Sequence, residues 1–307
     1  MILEIKNLTI GYQFPIVEDI NISSDIGEVC LLIGNNGVGK TTFIKTLLNQ
    51  LTPINGIVEI NGQNIKNISI KEIAQMVSIV FSKSEIPLNY TVRDLVALGK
   101  YIHYPFYFKL NEQDEIEIDT IIKNLGLKKL EHLQLQQLSD GNLQKAFIGR
   151  ALAQKTPIII LDEPTTHLDE SNKISILNLL RKISKTEKKL IIFSSHDWRL
   201  AKEFADKIGY IKNQKLIYGV TEDILLQNQE LTNPSLFDLN NSFVPPQIFA
   251  PEIQKEMLYS VLQKNFENDF SKFKFSFQDN IWEISVNNFQ QKAKSFEEII
   301  SILQTID

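Results

Sequence analysis

The most informative segment of the sequence is GNNGVGKT, at residues 34–41. It fits the pattern G-x-x-x-x-G-K-[ST], in which a curled glycine-rich loop points successive backbone N–H groups at phosphate oxygens. A predicted strand at 28–33 precedes it and helical periodicity over 40–49 follows it, which is the strand–loop–helix context that the motif requires. The sequence therefore predicts a phosphate loop in which Lys40 reaches the β- and γ-phosphates and the Thr41 hydroxyl ligates Mg²⁺.

A second apolar run, at 158–161, ends in two adjacent carboxylates, Asp162 and Glu163. Ligands of open α/β sheets bind at the carboxyl ends of the strands, so these side chains are placed for chemistry. We expect Asp162 to hold Mg²⁺ through water and Glu163 to polarise the attacking water as general base. Without the phosphate loop, the pair would instead indicate the start of a solvated loop.

The order of the predicted elements indicates an α/β fold. The short apolar runs at 158–161 and 190–194 are typical of strands buried on both faces of a parallel sheet. Residues 92–155 are mainly helical in pattern, and strand, loop, helix and strand follow one another in α/β order. The predicted strands of the first sixty residues lie at 3–5, 8–12, 28–33 and 57–60.

Composition narrows the class of protein. The chain has 307 residues, of which 43% are hydrophobic, and a formal net charge of −5, which argues against a nucleic-acid-binding protein. Its single cysteine, Cys30, excludes a disulfide framework within the chain and favours a reducing compartment. The longest apolar runs fall far short of the ~20 residues of a membrane-spanning helix. We expect a soluble protein whose membrane role, if it has one, depends on a partner.

The last quarter of the chain differs in composition. Four prolines fall between residues 233 and 251, which predicts a linker. After it we expect a helix at 252–265, a hairpin at 273–286 and a last helix at 295–303, whose Ser295 matches a capping box with Glu298. The predicted domains are thus 1–232, with a helical subdomain at about 92–155, and a linker and small α+β module at 233–307. This module could support a dimer, regulate the protein or act as a passive cap.

Further motifs resemble those of ATP-binding cassette (ABC) transporter ATPases. Residues 138–144, LSDGNLQ, resemble the family's signature L-S-G-G-Q-x-Q, and residues 164–169, PTTHLD, resemble its D-loop. His196 follows the strand at 190–195 as the family's switch histidine does, and Tyr12 matches the aromatic residue that stacks on adenine. The resemblance covers about residues 1–230, with every motif in family order and spacing.

The resemblance implies a P-loop fold of ABC type, with a mixed sheet core, an antiparallel β subdomain and a helical subdomain. It also implies a head-to-tail homodimer in which each ATP, with Mg²⁺, lies between one phosphate loop and the signature of the other subunit, so that donors from both meet the γ-phosphate. The expected catalytic residues are Lys40, Ser82, Glu163 and His196, and the expected metal ligands are Thr41, Ser82 and Asp162. Nucleotide contacts are expected from Tyr12, Gly34, Asn35, Asn36, Gly37, Val38, Gly39, Lys40, Thr41 and Thr42. The signature residues Ser139, Asp140, Gly141 and Asn142 are expected to act across the dimer, and Asp169 is the expected D-loop residue.

This sequence departs from the family pattern in the signature and after one strand. Asp140 stands where the family has glycine, and we expect it to cap the following helix, because aspartate is a strong N-cap residue. Asn142 replaces a glutamine and keeps the amide. After the predicted strand at 77–81, Ser82 stands where the family has a metal-contacting glutamine. Since Lys40 and the acidic pair are present, we expect an active ATPase.

Residues 90–100, YTVRDLVALGK, are similar to a segment of importer ATPases for iron–siderophore complexes, haem and vitamin B12. The resemblance implies an ATPase on the inner face of the cytoplasmic membrane, bound to integral-membrane permease subunits and served indirectly by a substrate-binding protein. Aromatic residues at 101–108 either pack the subdomain or form a docking surface. An exporter ATPase subunit, a non-transport ABC ATPase and a P-loop kinase or GTPase are the alternatives.

Overall fold

The computed structural model describes residues 1–82, 88–104, 109–196, 202–228, 231, 244–266, 269–287 and 289–305. The chain forms two compact units, Met1–Ile224 and Leu225–Asp307. The aromatic residues at 106–108 and the part of the predicted linker at 233–243 lie outside the described residues.

A ten-stranded sheet forms the frame of the first unit, with its strands in the order β5-β4-β1-β2-β10-β9-β3-β8-β7-β6. β6, β7, β8, β3 and β9 pair in parallel, whereas β1, β2, β4 and β5 form an antiparallel arm. This mixed sheet with an antiparallel arm confirms the predicted fold class. The strands are β1 (Leu3–Gly11), β2 (Pro15–Ser24), β3 (Val29–Ile33), β4 (Asn55–Ile60), β5 (Gln63–Asn64), β6 (Val77–Val80), β7 (Ile158–Leu161), β8 (Leu190–Ser195), β9 (Lys207–Lys212) and β10 (Lys215–Val220).

Helices connect these strands, and side chains at their N-termini explain where several of them begin. Ser69 with Glu72 and Thr91 with Asp94 form capping boxes at the starts of the second and third helices. The helices are α1 (Lys40–Leu47), α2 (Ile70–Met76), α3 (Val92–Leu98), α4 (Glu112–Asn124), α5 (Asp140–Ala153), α6 (Glu170–Glu187) and α7 (Thr221–Gln227). The region from 92 to 155 is mainly helical, as predicted.

The central parallel strands end at one edge of the sheet. Every residue of β3, β7 and β8 is buried, as continuous apolar runs require. Ile33 is opposite Ser195, and Leu161 is opposite Phe193. The phosphate loop, the acidic pair and His196 directly follow these strands, so the register brings all of them to the same edge.

The strand prediction for the first 33 residues is wrong in two respects. β1 is one strand rather than two, and β2 was not predicted at all. In β2 the core-facing residues Val17 and Ile20 are three positions apart, because Asp19 adopts a φ of 52° and the register shifts there. Such a bulge breaks the period of two by which strands are recognised.

The second unit contains a four-stranded sheet in the order β11-β12-β13-β14. Its strands are β11 (Gln247–Phe249), β12 (Lys274–Gln278), β13 (Ile281–Val286) and β14 (Phe289–Ala293), and its helices are α8 (Glu252–Asn265) and α9 (Phe296–Gln304). The hairpin and both helices agree with the prediction, whereas β11 and β14 were missed. The aromatic residues Phe266, Phe270, Phe275 and Trp282 are buried in the core of this unit.

The predicted capping box of the last helix forms only in part. Ser295 is the N-cap, and its side chain accepts from Glu298 N at 3.2 Å. The Glu298 carboxylate accepts from the N–H of Lys294 at 2.6 Å, one residue before the position that a capping box requires. In the part of the chain that the structure describes, no helix is long and apolar enough to cross a membrane.

Candidate active site

The phosphate loop joins β3 to α1 and presents its backbone to solvent. Asn35, Asn36 and Gly37 are exposed, so this part of the loop is open to a ligand. Gly39 is the N-cap of α1 with a φ of 115°, and a Cβ there would lie 2.9 Å from Ile16 Cγ2. Only glycine fits this turn, because the start of β2 packs against the loop at this position. The N-terminal end of α1 stays open to an anion.

Lys40 is buried beneath the loop and holds its shape. Its Nζ donates to Gly34 O at 2.8 Å and to Asn35 O at 3.1 Å. Burial lowers the pKa of Lys40, while the charges of Glu163 and Asp162 oppose that shift. The ammonium group is bonded to neutral carbonyls and lies close to two carboxylates, so phosphate oxygens can replace the carbonyls as better partners.

Asp162 links the phosphate loop to the central strands. The Thr41 hydroxyl donates to Asp162 Oδ2 at 3.4 Å, and the Ser194 hydroxyl donates to Asp162 Oδ1 at 2.7 Å. A hydroxyl and a carboxylate thus converge at the end of β7. Oxygen ligands of this kind suit Mg²⁺, so the residues present fit the metal that the sequence predicts.

Glu163 points away from Asp162 because its backbone is left-handed, with a φ of 52°. Its Oε2 lies 3.2 Å from His196 Nδ1 and accepts from the Thr166 hydroxyl at 3.2 Å. The Glu163 side chain keeps 23% of its surface exposed and that of His196 keeps 49%, so water can reach both. Asp162 and Glu163 therefore have separate surroundings, because Asp162 lies beside the phosphate loop and Glu163 lies beside His196.

Ser194 is the functional residue that the sequence analysis missed. It is fully buried, donates to Asp162 and accepts from the backbone N–H of Glu163 at 2.9 Å. The signal was present, because a polar residue in an otherwise apolar buried strand must find a hydrogen-bond partner. Its place near the carboxyl end of β8 indicated that the partner would lie at the site.

The signature segment forms the start of α5. Ser139 is its exposed N-cap, whereas Asp140 is the first helical residue, so the expectation that Asp140 caps this helix is wrong. The Asp140 carboxylate is exposed at the N-terminal end of the helix, where the helix dipole favours negative charge. Gly141 is buried and Asn142 is half-buried.

Three further predicted residues occupy nearby loops. Asp169 is the N-cap of α6 and accepts from Asn172 N at 2.8 Å. Ser82 is exposed in the turn after β6, which pairs with β7. Among the described residues, the side-chain hydrogen bonds of Thr41 and Asp162 join these two residues to each other and Asp162 to Ser194, and they do not include Ser82. Tyr12 lies in the turn between β1 and β2 and is 61% exposed, which leaves its ring free to stack.

Comparison with known proteins gives consistent matches. Residues 17–166 match the family model described as ABC transporter. An ABC transporter ATP-binding protein of Methanocaldococcus jannaschii, described as uncharacterised, is 37% identical over 78% of this chain and 82% of its own length. An iron(3+)-hydroxamate import ATP-binding protein of Bacillus subtilis is 35% identical over 73% of this chain and 86% of its own length. Among solved structures, one described as an inward-facing, metal-chelate type ABC transporter shares 27% identity and a TM-score of 0.66, covering 75% of this chain and 87% of that one.

Proposed function

The chain belongs to the ABC transporter family of ATP-binding ATPases, and we propose that it is the ATP-hydrolysing subunit of an importer for iron chelates. The observation that supports this role most is the convergence of Lys40, Asp162, Glu163 and His196 at one edge of the parallel sheet. This edge carries the groups that bind triphosphate and those that activate water.

Within one chain, the phosphates of ATP lie on the N–H groups of residues 34–41, and Tyr12 stacks on the adenine. Lys40 exchanges its bonds to the Gly34 and Asn35 carbonyls for bonds to phosphate oxygens. Thr41 and Asp162 would hold Mg²⁺, which would offset the charge of the phosphates. Ser82, in the turn after β6, contacts the expected Mg²⁺ site through water.

Glu163 activates the attacking water. Its carboxylate accepts a proton from the water that attacks the γ-phosphorus, and the imidazole of His196 keeps that carboxylate oriented. The Ser194 hydroxyl fixes the backbone of Glu163 relative to Asp162. The chain thereby aligns a nucleophile with a phosphoryl group, which is most of what phosphoryl transfer requires of a protein.

A second copy of the chain completes the site. Ser139 is exposed at the start of α5, where its hydroxyl and the neighbouring N–H groups can donate to the γ-phosphate of ATP held by the partner. Asp140, Asn142 and Asp169 border the same contact. Residues 1–232 form this ATPase domain, and 233–307 form an accessory module.

The cargo assignment rests on two likenesses. Residues 90–100 are similar to the corresponding segment of iron-chelate importers, and the Bacillus subtilis relative is an iron(3+)-hydroxamate import protein. The chain works on separate integral-membrane permease subunits at the inner face of the membrane, with a substrate-binding protein delivering the cargo to them.

Deletion of the gene in the organism that encodes it tests this role. The strain is complemented with the wild-type gene or with the Glu163→Gln variant, and uptake of labelled ferric hydroxamate, ferric catecholate, haem and cobalamin is measured. We expect the wild-type gene alone to restore uptake of one of these chelates. Unchanged uptake of all four in the deletion strain would contradict the proposal, and accumulation of another compound inside those cells would favour an exporter.

A further inference from the structure

The side chain of Asn172, in the first turn of α6, lies between the D-loop and the signature of the same chain. Its Nδ2 donates to Asp169 Oδ2 at 2.7 Å, and its backbone N–H donates to Asp169 Oδ1 at 2.8 Å. Its other amide atom faces the signature, because a Cβ built on Gly141 would lie 2.5 Å from Asn172 Oδ1. The amide therefore fills the space that any side chain at position 141 would need.

On the side of Asp169, hydrogen bonds hold the Asn172 side chain in place. The Asp169 carboxylate also accepts from the Ser171 hydroxyl at 2.7 Å. Hydrogen bonds from the Asn172 and Ser171 groups lower the pKa of Asp169, so the carboxylate is charged at neutral pH. Hydrogen bonds to an ionised acceptor are stronger than those between neutral groups. The Asn172 side chain consequently has little freedom to turn away from Gly141.

The end at Gly141 is held by packing. Gly141 is buried, and its missing Cβ is what lets the Asn172 amide approach so closely. A shift of Asp169 must carry the amide with it, and the amide then either presses on the backbone at Gly141 or moves away from it.

We propose that Asn172 is a positioning residue that couples the D-loop to the signature within one chain. The inference rests on the proposed function, in which both segments face ATP held by a second chain. Through Asn172, contact of the partner with Asp169 changes the position of the signature backbone that donates to the γ-phosphate. The sequence pattern alone gives no role to residue 172.

ATP hydrolysis by the purified full-length chain tests the coupling in variants Asn172→Ala, Gly141→Ala and the double variant. Asn178→Ala is the matched control, because Asn178 is exposed on the same helix. We expect Asn172→Ala to lower kcat roughly tenfold, the effect of losing one charge-assisted contact. The affinity for ADP, measured by equilibrium binding, should stay unchanged, because ADP lacks the γ-phosphate that the signature of the second chain would meet.

The double variant shows whether Gly141→Ala acts through Asn172 or impairs the signature independently of it. If Gly141→Ala acts by displacing Asn172, the double variant loses no more activity than the more impaired single variant. Losses that multiply would show that the two residues act independently and would overturn the proposal. Activity of Asn172→Ala equal to that of Asn178→Ala would overturn it as well.

A measurement without nucleotide keeps the inference testable if the chain is inactive. In ¹⁵N–¹H spectra we expect Asp169→Asn to shift the Gly141 amide signal in the wild-type chain but not in the Asn172→Ala background. An equal shift in both backgrounds would reject the coupling. Absence of hydrolysis by the wild-type chain would instead reject the proposed function, whatever the spectra show.

Discussion

At the residue scale, the carboxylates of Asp162 and Glu163 are neighbours in the chain but have different hydrogen-bond partners. Asp162 receives donors from Thr41 and Ser194, whereas Glu163 turns through its left-handed backbone toward His196. A non-glycine residue with positive φ costs free energy and is found where the surroundings impose it. Here the bond from Glu163 N to the Ser194 hydroxyl is one of the contacts that impose it.

Ser194→Ala tests that contact. The substitution removes the donor to Asp162 and the acceptor of the Glu163 N–H, and such bonds each contribute about 1–3 kcal/mol. We expect turnover to fall by roughly 10- to 100-fold in a phosphate-release assay. Ser184→Ala is the matched control, because Ser184 Oγ is buried and has no hydrogen-bond partner among the described residues. Equal turnover of the two variants would show that Ser194 does not position the site.

The sequence predicted the residues that belong to motifs and missed Ser194 for a physical reason. Lys40, Asp162 and Glu163 are recognisable because their spacing from apolar runs reflects the loop and strand ends that carry them. Ser194 acts through a partner 32 residues away in the chain, across the pairing of β7 with β8. The sequence pattern of a strand indicates which residues are buried. It does not indicate which side chain lies opposite each residue, because that depends on the register between strands.

At the element scale, the helices after residue 92 are joined by an ion network around one buried cation, Lys100. Lys100 is only 1% exposed, and its Nζ lies 3.1 Å from Asp114 Oδ1 and also pairs with Glu117. Lys155 adds a second cation at 2.6 Å from Glu117 Oε1. Burial alone would raise the pKa of Glu117, but hydrogen bonds from the two lysines and Gln113 outweigh it and lower the pKa to about 2.

This network predicts a pH-dependent stability. A carboxyl group whose pKa is lower in the folded chain stabilises it above its unfolded pKa of about 4.5, and this contribution is lost as the pH falls toward 2. We expect Glu117→Gln to lower the free energy of unfolding at pH 7 by about 1–3 kcal/mol, because Lys100 loses a charged partner.

The control for that prediction is Glu112→Gln, at the exposed start of the same helix. Thermal unfolding across pH 7 to 3 should show the difference between wild type and Glu117→Gln shrinking as the pH falls, while Glu112→Gln stays close to wild type throughout. A difference that is the same at both ends of this range would mean that the charge of Glu117 does not contribute.

Elements differ in how far the sequence predicts them. β3, β7 and β8 were found because strands buried on both faces are continuous apolar runs. β2 was missed because its bulge at Asp19 interrupts the alternation. β14 was missed because Gln290, Gln291 and Lys292 are all exposed, so the strand shows no apolar face in sequence.

At the scale of the whole molecule, the proposed function gives one chain two halves of a site, which only a second chain completes. In that proposal the phosphate loop, Glu163 and His196 bind and cleave ATP, and the signature at the start of α5 acts on ATP held by the partner. Hydrolysis should therefore depend on association of two chains, and a variant that binds ATP without cleaving it should keep them associated.

The proposed ATPase activity is tested by measuring phosphate release with ATP and Mg²⁺. The purified full-length chain and its Glu163→Gln variant are compared, and light scattering follows the molecular mass of each. We predict that the wild-type chain releases phosphate at a rate that rises more steeply than linearly with protein concentration. Glu163→Gln should bind ATP, remain a dimer and release phosphate at least about 100-fold more slowly, because it lacks the general base. Release by Glu163→Gln at the wild-type rate would show that Glu163 is not the general base.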